Sequence, residues 1–218
     1  MPTTLVAKVS AEFFGTLALV LAVVGSGFMA ESLTSDGGVK LLINASVTVL
    51  VLIIIISSFI NISGSHFNPV VTLMQLGREK ISLPEALAYL AAQMTGAITG
   101  SVIANYLFNS TIFEISHHDR SSANNFASEV IATLGLLIIV LNSGEKCVYL
   151  VPAWIGAAYF FTPSTSFANP AATIGRLFTD SYAGIAPQSA VLFGAAQCTA
   201  LALLFAFLVL TGKSTSHE

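Results

Sequence analysis

Apolar residues run through this chain in long uninterrupted blocks, without the alternation of a half-buried strand or the one-sided stripe of a soluble helix. Segments free of Asp, Glu, Lys and Arg extend over 13–30, 41–77, 86–113, 130–144, 147–175 and 181–212. A bilayer-spanning helix needs about 20 such residues, so most blocks hold one span and two hold surplus length. The pattern predicts spans over roughly 10–30, 40–60, 84–107, 127–143, 148–163 and 187–211. Asp36-Gly37-Gly38 and Ser143-Gly144-Glu145-Lys146 read as turns, and 116–125 (SHHDRSSANN) as a link. The first block lacks a strongly basic leader and a small-residue cleavage site, so it reads as a retained first helix. Two segments, 61–78 and 164–180, are left over.

The blocks repeat. AEFFGTLALVLAVVGSG (Ala11 to Gly27) aligns without gaps on SEVIATLGLLIIVLNSG (Ser128 to Gly144), placing Glu12 on Glu129 and Thr16 on Thr133. FNPVVT (from Phe67) then recurs as ANPAAT (from Ala168), and AAQMT (from Ala91) as AAQCT (from Ala195). Three stations in one order indicate a duplication. Three spans per half is an odd number, so the second half enters the membrane from the opposite side, giving an inverted 3+3 repeat. The halves are 1–115 and 126–218, joined by the linker 116–125, in one integral membrane domain. With the N-terminus inside, Lys8, Arg78, Lys80, Lys146 and Lys213 are cytoplasmic while Lys40, Arg120 and Arg176 are not, which favours that orientation mildly.

Both leftover segments carry Asn-Pro. Asn is a favoured N-cap because its side-chain oxygen accepts a free backbone N–H, and Pro suits the next position because its missing N–H is not needed there. Asn68-Pro69 and Asn169-Pro170 therefore start helices, over 68–77 and 169–178, with room for only about two turns, roughly 12 Å. Neither can cross. Each follows a polar stretch (NISGSHF and PSTSFA) and reads as a re-entrant loop leading into a half-helix, tolerated only where protein or a watery cavity covers the backbone. Inverted symmetry brings the two half-helix N-termini together near the midplane, each with roughly half a positive charge, a waist that disfavours cations. The carbonyls of Ser63 to Phe67 and Thr165 to Ala168 would form an acceptor ladder along extended stretches.

Composition sharpens this picture. The chain is 55% hydrophobic and 9% charged with mean hydropathy +0.83, against about a quarter charged residues in soluble domains. The net charge of −3 and scattered basic residues offer no nucleic-acid surface. Cys147 and Cys198 lack metal-ligand spacing and read as free thiols. His117, His118 and Asp119 read as a solvated loop, since adjacent histidines point different ways. No nucleophile–base set appears, so an enzyme is not expected; neither is a metal or cofactor.

SGSHFNPVVTL and SFANPAATIGR, with the AEFFGT and SEVIAT openings, resemble the two boxes and the helix starts of the aquaporin, or major intrinsic protein, superfamily. The resemblance implies an all-α membrane protein with six transmembrane helices and two re-entrant half-helices. It places Asn68, Pro69, Val70, Asn169, Pro170 and Ala171 at the pore constriction, with Val70 standing where Ala is usual. Distances from the two Asn residues carry the filter onto Thr48, Ala157, Ser166 and Ala172, the last where the family usually has Arg. This small set implies a wide filter without its fixed cation, similar to a bacterial aquaglyceroporin-like subgroup associated with uncharged metalloid acids such as arsenous acid. Aquaporin-type pores are themselves a standard case of selectivity set by diameter, lining donors and electrostatic barriers.

The resemblance further implies that Glu12, Glu129, Gln93 and Gln197 support the re-entrant loops, with His66 lining an inner vestibule. Arg176 lies four residues beyond Ala172 on the same helix face; a dipole-compensating or interfacial role is weighed against a pore role. Gly96 and Gly100 form a GxxxG, suited to close helix contact within or between monomers. The implied partners are water, small uncharged solutes and the lipid bilayer, in a homotetramer in a bacterial plasma membrane with both termini cytoplasmic. Three functions stay open: a passive channel for water and small neutral solutes (polyols, urea, metalloid acids), a strictly water-selective channel, and an ion-coupled transporter using Glu12 and Glu129.

Overall fold

In the computed structural model, which describes residues 3–211, six long helices and two short ones follow in order: α1 Leu5–Leu33, α2 Gly37–Ser63, α3 Pro69–Gly77, α4 Leu83–Leu107, α5 Ala123–Asn142, α6 Cys147–Phe161, α7 Pro170–Gly175 and α8 Pro187–Leu210. The two short helices, α3 and α7, are the Asn-Pro segments. Five of the long helices are long and apolar enough to cross a membrane. The sixth, α6, has 15 residues but is led by a 3-10 turn over Gly144–Lys146, and the two together reach roughly 28 Å. Lys213, counted above among the basic residues, lies outside the described residues.

Local chemistry sets the ends. Side chains of Thr4, Asp36, Ser82 and Ser122 each accept a backbone N–H at a helix start. Asp36 thus caps α2 directly, and Gly37 and Gly38 fall inside the helix. Gly64, at φ 85°, ends α2 in the left-handed conformation that glycine adopts without steric penalty.

The molecule is packed with its small and polar residues inward. Phe14, Leu50, Ile54, Val191 and Leu210 are exposed, whereas Glu12, Thr16, Gln93, Glu129, Thr133 and Gln197 are fully buried. Lipid is as apolar as leucine, so helices associate here through close packing and internal hydrogen bonds. Gly96 and Gly100 press α4 onto the α1 backbone: a Cβ at either position would lie 2.5 Å from the Phe13 carbonyl or 2.6 Å from that of Leu17. The GxxxG therefore works inside the monomer. Gly15 leaves the space that the Phe67 ring fills.

Lys8 Nζ meets Glu85 Oε1 at 2.8 Å, so the starts of α1 and α4 share one face, called here the terminal face. The linker folds over the opposite end. Ser116 N–H donates to the Leu177 carbonyl at 2.9 Å, Ala186 N–H to that of His118 at 2.8 Å, and the Arg120 side chain to those of Gly184 and Tyr182 at 3.2 and 3.1 Å. His117 and Asp180 pair at 3.0 Å. This segment is laced to 177–189 through its backbone, Asp180 and Arg120, while His117, His118 and Asp119 stay exposed.

Candidate functional site

Each re-entrant loop hangs from a buried carboxylate. Glu12 accepts hydrogen bonds from Ser63 Oγ (2.6 Å), His66 N (2.9 Å), Phe67 N (2.6 Å) and Gln93 Nε2 (2.8 Å). Glu129 accepts from Phe167 N, Ala168 N and Gln197 Nε2, each at 2.9 Å. Gln93 and Gln197 also donate to Thr72 and Thr173 in the half-helices, at 2.9 and 3.2 Å. Both glutamates are 0% exposed. His66 bonds Thr72 Oγ1 at 3.1 Å and meets Tyr89 edge-on at 5.2 Å; Phe167, at the matching position, meets Phe193 edge-on at 5.0 Å.

The carboxylates hold backbone in an unusual shape. Gly64, Ser65 and Phe67 have positive φ, and so do Thr165, Ser166 and Ala168, at the same distances before their Asn residues. Non-glycine residues in this region cost about 1–3 kcal/mol each and persist only where surroundings over-determine them. The stretches expected to be extended are therefore a repeated left-handed turn.

At the centre the two halves interlock. Asn68 Nδ2 donates to the Ala168 carbonyl and Asn169 Nδ2 to the Phe67 carbonyl, both at 2.8 Å. Their Oδ1 atoms cap the half-helices, Asn68 on Val70 N (3.1 Å) and Asn169 on Ala171 N and Ala172 N (3.0 and 3.3 Å). One amide hydrogen of each Asn is thus committed across the joint, which leaves each Asn a second donor at the cavity that both side chains line.

A cavity of about 110 Å³ runs past this joint. Leu19 and Val23 of α1, Leu52 and Ile56 of α2, Leu136 and Val140 of α5, and Val151 and Ile155 of α6 give it aliphatic walls. Most of its polar side chains come from the two re-entrant segments, Ser65, His66, Asn68, Gln75, Ser166, Asn169 and Arg176, and Thr48 of α2 and Tyr159 of α6 add two hydroxyls. Gln75 Oε1 and Ser166 Oγ are buried without a protein partner. On the terminal face Gly64, His66 and Gln75 also line a vestibule of about 490 Å³, beside Lys8, Arg78 and Lys80.

Several expected positions are corrected. Ala157 is exposed on the outer surface of α6, because the cavity face of that helix steps through Cys147, Val151, Ile155 and Tyr159. Val70 and Ala171 are fully buried behind the wall, Val70 among Met74, Leu137 and Leu204. Pro69 and Pro170 open the half-helices without lining the cavity, which meets the helices at Val71 and Ala172. Thr48, Ser166 and Ala172 do line it, but the set around them is neither small nor uncharged. Tyr159 hydroxyl bonds Thr48 Oγ1 at 3.1 Å, and Arg176, 3% exposed, lies 3.4 Å over the Phe167 ring. Tyr159, Phe167 and Gln75 were missed; the four-residue step back from Tyr159 to Cys147 is the signal that marks the first.

Comparisons with known proteins agree with this architecture. The family model described as "Major intrinsic protein" matches residues 2–166. Aquaglyceroporin AqpS of Rhizobium meliloti (strain 1021) is 39% identical over 181 residues, 81% of this chain and 78% of that protein. An aquaglyceroporin of Toxoplasma gondii is 29% identical over 227 residues, covering 97% and 80%. The X-ray structure of the aquaglyceroporin from Plasmodium falciparum superposes with TM-score 0.68 over 94% of this chain and 96% of that one, at 19% identity. The aquaporin fold, the buried polar frame and these matches lead to one conclusion: the chain belongs to the major intrinsic protein family, as an integral membrane channel and not an enzyme.

Proposed function

We propose that the channel passes water and small neutral solutes down their gradients, including polyols such as glycerol, urea, and uncharged metalloid acids such as arsenous acid. The observation that carries this reading is the division of the cavity wall. Aliphatic side chains from four helices are set beside a strip of hydrogen-bonding groups, most of them from the two re-entrant segments and two, the Thr48 and Tyr159 hydroxyls, from α2 and α6. A neutral molecule with both polar and apolar faces matches such a wall, because it exchanges hydrogen bonds along the strip while its carbon or bare face meets the aliphatic side. The Rhizobium and Toxoplasma relatives, both named aquaglyceroporins, support glycerol among the permeants. We place Asn68 and Asn169 at the central constriction, Thr48, Tyr159, Ser166, Ala172 and Arg176 at the filter, and Glu12, Glu129, Gln93, Gln197 and His66 as loop support.

The ion-coupled alternative loses its motive. Glu12 and Glu129 are occupied in holding backbone N–H groups, symmetrically and away from the cavity. A strictly water-selective channel is favoured by one observation, the Thr48–Tyr159 hydrogen bond that narrows the passage. The reading further takes the channel as a homotetramer in a bacterial plasma membrane with both termini cytoplasmic; Lys8, Arg78 and Lys80 grouped around one vestibule support that orientation. The test compares water, glycerol, urea, arsenous acid and proton leak in one proteoliposome preparation, alongside Ala172→Arg. Glycerol and arsenous acid should cross with water, and Ala172→Arg should cut the larger solutes more than water. Water flux alone would select the water-only reading.

A further inference from the structure

Both half-helices turn the same two positions to the passage, three and seven residues after the Asn: Val71 and Gln75 in one half, Ala172 and Arg176 in the other. Positions four apart share a helix face, and the 3-10 turn that continues α7 begins at Arg176. We propose that Arg176 is the charge-selecting residue of the passage, one turn toward the linker face from Ala172, and that Arg120 of the linker reinforces it. The inference rests on the channel reading above.

The arrangement fixes the guanidinium without cancelling its charge. Arg176 Nε donates to the Ala183 carbonyl, and its Cζ sits 3.4 Å over the Phe167 ring, which Arg120 also faces at 5.4 Å. The Arg120 side chain in turn donates to the backbone carbonyls of Gly184 and Tyr182. Among the described residues the ion pairs are Lys8–Glu85 and His117–Asp180, so neither arginine makes a contact ion pair, and the Glu129 carboxylate, engaged by backbone N–H groups, acts on both only from a distance. A buried cation held by carbonyls and an aromatic face keeps its field. Inside a membrane such a group marks a functional site by default.

The displacement also separates two tasks. With Arg176 about 6 Å along the helix from Ala172, the charge barrier and the position of Ala172 occupy different levels. A unit charge within about 6 Å of a passing cation, at an effective dielectric near 20, lowers that cation's occupancy by about a hundredfold.

The test uses the full chain in proteoliposomes, reading water and glycerol flux by light scattering and proton and K+ conductance by an internal pH dye and an imposed potential. Wild-type flux of water or glycerol above empty vesicles tests the channel reading separately; without it that reading fails, and this inference with it. Given that flux, Arg176→Gln should raise proton or K+ conductance about tenfold or more, Arg176→Lys should stay within about twofold of wild type, and Arg120→Gln should raise it about threefold. An Arg176→Gln channel that passes water but conducts no more ions than wild type overturns the proposal. Should that variant not be recovered folded, the wild type still decides: K+ crossing it at rates comparable to glycerol overturns the proposal, and K+ exclusion together with a leaky Arg120→Gln supports it.

Discussion

Two residues before its Asn, the first half carries His66, bonded to Thr72 and edge-on to Tyr89, while the second carries Phe167, edge-on to Phe193 and covered by Arg176. Seven residues after the Asn the first half has Gln75 and the second Arg176. Behind these positions the halves are nearly copies, with the same Glu, Gln, Thr and Asn in the same bonds. The difference shows which constraints are structural. Left-handed backbone inside a membrane needs its N–H groups satisfied, and one solution serves both halves. Residues facing the lumen carry no such duty, so the matching lumen positions differ, neutral Gln75 in one half and cationic Arg176 in the other.

The largest expected effect tests the shared frame. Glu12→Ala and Glu129→Ala each strand several buried donors, at about 1–3 kcal/mol per donor, against total stabilities of about 5–15 kcal/mol. Both variants should lose most of their folded yield and melt far below wild type in detergent. A tolerated Glu129→Ala beside a lost Glu12→Ala would break the symmetry.

Next comes the joint. Asn68→Ala and Asn169→Ala should each destabilise by about 1–3 kcal/mol, read as a fall in Tm. Asn169→Ala should be the worse, because Asn169 caps two N–H groups where Asn68 caps one. The reverse order would mean that the caps matter less than the cross-joint bonds.

The halves also differ in helix approach, since Gly96 in α4 is matched by Ala200 in α8. Gly96→Ala places a methyl against the Phe13 carbonyl and should cost about 1–3 kcal/mol. Ala200→Gly creates no clash and should cost about 1 kcal/mol from helix propensity, with the small further loss of one buried methyl. Equal losses of Tm would remove the distinction.

The smallest effect concerns the linker, which only the second half wears. Asp180 accepts the backbone N–H of His117, which holds its carboxyl below the usual carboxylate value, aided by the His117 ring and opposed by partial desolvation. A depressed folded pKa contributes stability above the unfolded value and loses it as pH falls through the folded one. The latch should therefore loosen below about pH 4, seen as faster hydrogen exchange at the His117 amide with the helices still protected. Asp180→Asn should exchange faster already at neutral pH.

Helix number, the duplication and both half-helices were legible because breaker and cap chemistry act locally: Asn68-Pro69 can only open a helix, and too few residues follow to cross. The filter was less legible for two physical reasons. Counting back from Asn169 to α6 crosses an irregular turn, which loses the helical phase and lands on Ala157 instead of Tyr159. That Arg176 lines the cavity depends on how a six-residue helix is rotated, which tertiary packing sets. Nor does sequence disclose the left-handed turn, since five of its six positions are not glycine.

The central claim is that the interlocked re-entrant segments enclose a continuous path for neutral molecules. Osmotic shrinkage of proteoliposomes, timed by light scattering at several temperatures against empty vesicles, tests it most directly. Water efflux well above that of the empty bilayer, with a weaker temperature dependence, is expected. Rates and temperature dependence indistinguishable from empty vesicles, with the protein folded and inserted, would contradict it.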